Sequence, residues 1–210
     1  MKSILLKIGT ESLPKDEILY LMPEFSAPAN YKDAEKIQMW KAKKQEEWLL
    51  DAPMSALSGK ILAFAYKPDG DDCKVESDKN ESELLKKFWE LYRANGDCQF
   101  VGYDARNFDI PFLVRRSWKN KVVVPNILNG KFLNWKFVDL AQVWNCGSVE
   151  RVSLGTLAKF FGIENTIPEK ATFSALWKAN PDSAKKFLCD SLELTQAIGE
   201  AMGVLEGELF

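Results

Sequence analysis

The sequence contains no histidine. That absence removes histidine general bases, Ser-His and Cys-His nucleophile pairs, and histidine metal ligands together. Any chemistry must rest on carboxylates, lysine, tyrosine or thiol. Cysteine is scarce: Cys73, Cys98, Cys146 and Cys189 are widely spaced and form no CxxC pair. This suggests neither a zinc site nor a redox pair, and predicts reduced thiols, some of them buried. Long apolar runs are missing as well. Ile61 to Tyr66 is typical of those present, far short of the roughly 20 residues that span a bilayer. The N-terminal stretch holds too few apolar residues for a signal peptide, so a cytoplasmic protein with no membrane partner is expected. There is no basic excess either. A net charge of −2 gives no support to tight non-specific duplex binding.

What is present suits a folded domain. Hydrophobic residues make up 46% of the 210 positions and charged residues 28%, enough to bury a core. One domain over residues 1–210 is expected, with an insert at about residues 14–55. A first strand is predicted at residues 3–8, followed by a proline-bearing loop at 13–33. A helix follows at 33–50 with Asp33 as its N-cap, and Ile37, Trp40, Lys44 and Trp48 near one face. Its lysines Lys36, Lys41, Lys43 and Lys44 read as a solvated stripe.

A second strand at 60–66 and a third at 74–76 flank the turn "KPDGDD" and predict a hairpin. Asn80 with Glu83 resembles a capping box, opening a helix whose apolar face is Leu84, Leu85, Phe88, Leu91 and Tyr92, with Gly96 past its end. "CQFVGY" (98–103) reads as a buried strand, 108–118 as a helix with Pro111 in its first turn, and "FVDL" (137–140) as the last strand. Helices are expected near 153–161 and 182–202. The order predicts an α/β fold, three-layered, with a mixed sheet of about five strands.

Placed on these elements, "FVGYDARNFDIPFLVRRS" and "FLCDSLELT" resemble the DnaQ-like 3′–5′ exonucleases of the ribonuclease H-like fold, in the tyrosine-containing DEDD branch. The resemblance covers almost the whole chain, including "MPEFSAPANYKDAEKI" and "ALSGKILAF". It implies two divalent cations, Mg²⁺ or Mn²⁺, held by four carboxylates. Hard cations favour oxygen ligands, and two of them about 4 Å apart clamp the attacking and leaving oxygens of a phosphodiester. It also implies single-stranded DNA or RNA 3′ ends as ligand.

Carried over position by position, only the second motif fits. "DARNFD" puts Asp109 at a metal-ligand position and Asp104 where the family has asparagine. Arg115 and Arg116 follow as the implied phosphate contacts, making Asp104, Arg115 and Arg116 the substrate-binding candidates. In the first motif, one register sets Lys7 at the aspartate and Gly9 at the glutamate. A shorter register sets Gly9 at the aspartate and keeps Glu11 as the glutamate. In the third, Phe187 takes the tyrosine place and Ser191 the aspartate place. A shift by one makes Asp190 the ligand but puts Lys186 at the tyrosine.

Three readings follow. In the favoured one the motifs are degenerate, Lys7 pairs with Asp109 in place of a metal, no cofactor is expected, and the protein is an inactive exonuclease homologue that binds nucleic acid or a protein partner. In the second, Glu11, Asp109 and Asp190 are catalytic metal ligands of an atypical enzyme using Mg²⁺ or Mn²⁺. A structural or protein-interaction module is a third expectation, favoured slightly by the charge balance. Asp139 reads as structural.

Overall fold

Apolar and β-branched residues concentrate in "SILLKIGT", "KILAFAY" and "QFVG", and these segments form the middle of the sheet. The computed structural model describes residues 2–125, 135–168 and 172–205. Among these, five strands make one mixed sheet: β1 (Ser3–Ser12), β2 (Gly59–Pro68), β3 (Lys74–Ser77), β4 (Gln99–Gly102) and β5 (Phe137–Asp139), in the order β3-β2-β1-β4-β5. β2 and β3 are the expected antiparallel hairpin, with Phe64 opposite Glu76. β4 runs parallel to both β1 and β5, with Leu5 opposite Val101 and Val101 opposite Val138. The fold is ribonuclease H-like.

The α-helices among the described residues are α1 (Lys15–Ile18), α2 (Ala34–Asp51), α3 (Glu81–Ala94), α4 (Asp109–Lys119), α5 (Leu140–Asn145), α6 (Leu154–Phe161), α7 (Phe173–Ala179) and α8 (Pro181–Ala201). Local chemistry sets their ends. Asn80 caps α3 through the Ser82 N–H, Ser153 caps α6 through Thr156 N–H, and Asn180 caps α8, whose first residue is Pro181. The expected reciprocal bond from Glu83 gives way to a Lys86–Glu83 pair at 2.7 Å. α6 ends at Gly162 in the left-handed region, φ 71°, a conformation glycine adopts without a Cβ clash.

Two compact units are present: Met1–Gly9 with Ile61–Phe210, and Thr10–Lys60. In the first, alternate strand residues point to opposite faces of the sheet. On one side Phe64, Phe88, Tyr92, Phe100 and Phe137 form an aromatic cluster with ring centroids 5.6–6.4 Å apart. The Trp89 indole N–H donates to Ser117 Oγ at 2.8 Å, joining α3 to α4. On the other side Leu5, Val101, Leu140, Leu157, Leu188 and Ile198 belong to one buried cluster with α5 to α8. Lys136 is fully buried under the first cluster, its ammonium donating to the carbonyls of Asn95, Gly96 and Cys98 at 2.6–2.8 Å.

The second unit holds α1, α2 and the adjoining ends of β1 and β2. Asp33 caps α2 as expected, accepting from Glu35 N–H at 2.9 Å, and α2 has no fully buried residue. Leu13 N–H donates to Ser58 O at 2.8 Å, extending the strand pair beyond the expected end of β1.

The thiols differ from expectation. Cys73 and Cys189 form a disulfide, their Cα atoms 5.7 Å apart, while Cys98 and Cys146 remain free. Sequence spacing gave no sign of this pair because the fold, not the chain, brings β3's turn against α8. Among the described residues, no helix is long and apolar enough to cross a membrane.

Candidate functional site

The site is built where β1, the β4–α4 turn and α8 converge. After β4 the chain turns sharply at Asp104, which is left-handed at φ 59°. The Asp139 carboxylate fixes that turn. It accepts from the N–H groups of Asp104 (2.8 Å), Arg106 (2.9 Å) and Ala141 (3.0 Å), tying the β4 turn to the start of α5. Burial pushes the Asp139 carboxyl up, and these three N–H donors oppose it. The structural reading of Asp139 therefore holds. Asp104 is itself a turn residue, its Oδ1 accepting from Asn107 Nδ2 at 2.7 Å.

The turn delivers Asp109 into the first turn of α4, completely buried. Its Oδ1 accepts from the Ile8 N–H at 2.8 Å and its Oδ2 from the Lys7 ammonium at 3.4 Å. The Lys7–Asp109 ion pair expected from the sequence is thus present. Burial pushes the Asp109 carboxyl above the ordinary carboxylate range, while Lys7 and the Ile8 N–H pull the other way. The Lys7 side chain keeps 28% exposure, and its ammonium also lies 5.8 Å from the centroid of the Phe108 ring.

Two residues along β1, Gly9 lies on the same face as Lys7. A Cβ placed on Gly9 would stand 2.4 Å from the Phe173 ring. The aromatic ring from α7 therefore covers the backbone of Gly9 so closely that only glycine fits. Phe173 has no motif around it, and the sequence offered no signal for this contact.

Lys7 borders two cavities. One, of about 520 Å³, is lined by Lys7, Tyr103, Lys159, Asn165, Phe187 and Ser191 among others. The second, of about 510 Å³, shares Lys7, Tyr103 and Ser153 and adds Asp104, Asn107 and Arg151. Tyr103 donates its hydroxyl to Val152 O, and burial pushes its pKa up to about 12, so it stays neutral. Phe187 and Ser191 thus stand in one cavity with Lys7. The Ser191 hydroxyl, however, donates to Phe187 O on its own helix at 2.7 Å.

The remaining candidates lie elsewhere. Asp190 lines neither cavity; both its oxygens accept from Lys186, at 2.7 and 2.6 Å, one turn back along α8. Glu11 belongs to the second unit, where Lys60 approaches it at 3.8 Å. Arg115 is exposed. Arg116 corrects the expectation of a phosphate contact: it is buried, and its guanidinium is forked onto Glu81 at 2.9 and 2.6 Å. Successive helical residues are about 100° apart, so the two arginines point to different surroundings. Among the described residues, no group of three or more Asp, Glu, His or Cys side chains is placed to hold a metal ion.

Residues 69–160 match the family model described as "Predicted 3'-5' exonuclease related to the exonuclease domain of PolB". That segment is similar to 3′–5′ exonuclease domains of this predicted family. The fold agrees. The family B DNA polymerase of the hyperthermophilic archaeon Pyrobaculum calidifontis superposes with a TM-score of 0.60 at 15% identity, over 96% of this chain. The chain spans 24% of that polymerase's length. No curated protein matches the chain.

Proposed function

We propose that this exonuclease-like domain is a pseudo-exonuclease, which keeps the nucleic-acid-binding cleft of the fold and has lost two-metal hydrolysis. The observation that carries this reading is the Lys7 ammonium on Asp109, 3.4 Å from Oδ2. Enzymes that this chain resembles need several carboxylates converging on two cations. Here a cation of the protein's own sits against the buried Asp109 carboxylate. A second carboxylate at Gly9 has no room under Phe173, and Ser191 offers a hydroxyl already committed to Phe187 O. A pair of divalent cations does not fit these residues.

The alternative, an atypical enzyme built on Glu11, Asp109 and Asp190, requires Asp190 to leave Lys186. The cleft suits an anionic ligand. Among the described residues that line the two cavities, the charged ones are Lys7, Lys159, Arg151 and Asp104. This offsets, locally, the overall charge of −2.

The test is to incubate the protein with 5′-labelled single-stranded DNA and RNA in Mg²⁺ and in Mn²⁺, beside Asp109→Asn. The expected result is no shortening above the level of the variant. Shortening that Asp109→Asn abolishes would overturn the reading.

A further inference from the structure

An ammonium group has three donors. Among the described residues, the Lys7 ammonium gives one to Asp109 and meets no other protein acceptor. Its remaining donors face the cleft, because Lys7 lines both cavities. Each cavity lies within the range of about 300–1,000 Å³ that takes a small molecule, and Lys7, Tyr103 and Ser153 are common to both. Of these three, only Lys7 is charged.

The two lobes differ in character. The first has an apolar wall of Leu154, Ile167, Pro168 and Phe187, suited to a base face. The second is polar, with Asn107, Gln142, Asn145 and Arg151, suited to sugar hydroxyls and phosphate oxygens. A ligand that satisfies this layout has an anion in the middle, an apolar ring on one side and a polar group on the other.

We propose that Lys7 receives a phosphodiester directly, without any divalent cation, with one nucleoside in each lobe of the cleft. This rests on the reading that the domain binds nucleic acid without metal-dependent cleavage. It adds what holds the ligand in place of metal: Asp109 anchors the ammonium, and the phosphate takes its free donors. The base occupies the first lobe against Phe187. Arg151 lies in the second lobe, where a neighbouring phosphate of a longer strand would pass.

The experiment measures fluorescence anisotropy of a 5′-labelled oligothymidylate in excess EDTA. Expected is binding that Mg²⁺ does not strengthen, that the dinucleotide dTpdT competes away, and that inorganic phosphate leaves in place. Lys7→Gln should weaken it by about tenfold or more, as for loss of a charge-assisted hydrogen bond. It should also reduce the slope of log affinity against log salt by about 0.7.

Equal affinity for Lys7→Gln, binding seen only with Mg²⁺, or no binding at all would overturn the proposal. Competition by inorganic phosphate but not by dTpdT would identify a phosphate-monoester site and also overturn it. Should Lys7→Gln lose its cooperative melt, the wild-type protein decides. NMR signals of the Lys7 Cε methylene should shift on adding dTpdT in EDTA, and an unmoved signal is fatal. Cleavage of the oligonucleotide in Mg²⁺ is scored separately on a gel, so failure of the pseudo-exonuclease reading is distinguishable from failure of this one.

Discussion

The Arg116–Glu81 and Lys7–Asp109 ion pairs each hold a carboxylate of the interior, and they are built differently. Arg116 and Glu81 meet through two parallel bonds at 2.9 and 2.6 Å, with side chains only 6% and 10% exposed. The Glu81 carboxylate also accepts from Asn120 Nδ2 at 2.9 Å and from the Ile61 N–H at 2.8 Å. Every lone-pair direction has a partner. Lys7 and Asp109 meet once, at 3.4 Å, with Lys7 bordering open space. A saturated pair can only hold the fold together, whereas a pair with unused donors facing a cavity can still take a ligand. Charge alone does not separate the two; the count of unmet donors does.

The largest effect should come from the saturated pair. Arg116→Met leaves the Glu81 carboxylate buried without its cation, and a loss of about 3–5 kcal/mol is expected. Urea unfolding measures it, and a loss near zero would remove the distinction between the pairs. Next is Gly9→Ala, where the new Cβ must displace the Phe173 ring, for about 1–3 kcal/mol. A double-mutant cycle with Phe173→Leu should show coupling, since the shorter side chain relieves the clash. The same contact predicts that installing Lys7→Asp, Gly9→Glu, Phe187→Tyr and Ser191→Asp together restores no nuclease activity while Phe173 is intact.

Lys7→Met should cost less, about 1–2 kcal/mol at neutral pH, because Lys7 is part-exposed and the Asp109 carboxyl can respond by taking up a proton. The pH dependence has a definite sign. The folded Asp109 holds its proton more tightly than the unfolded chain does, and more so without Lys7. Stability of Lys7→Met should therefore be greatest below the ordinary carboxylate value of about 4 and fall as pH rises through the raised folded value. Lys7→Met with Asp109→Asn should lose this slope, and urea melts across that window decide it. The smallest effect is expected at Lys186→Ala. It breaks an exposed i,i+4 pair with Asp190, for about 0.5 kcal/mol or less, and should leave oligonucleotide binding unchanged.

Much of the fold was legible because its signals are local. Asp33 and Asn80 announce helix starts, and "KILAFAY" with "KPDGDD" announces a hairpin. The Lys7–Asp109 pair was legible only through the motif resemblance, since 102 residues separate the two. What escaped notice depends on contacts that cross the chain. α7 is seven residues long, too short for periodicity to register, yet it supplies the ring over Gly9. Arg115 and Arg116 are neighbours in sequence and opposite in burial, which no composition rule distinguishes. The Cys73–Cys189 bond closes a separation of 116 residues.

The strand order carries one more consequence. β1 precedes the other described strands in sequence, yet it lies third of the five, between β2 and β4. Excising it would not trim an edge. It would part the β2–β3 hairpin from the β4–β5 pair and leave two fragments with unpaired inner borders. The segment bearing Lys7 and Gly9 is therefore indispensable to the architecture however its chemistry is altered. In a molecule laid out this way, a change of activity has to be written one side chain at a time, on a backbone that stays where it is.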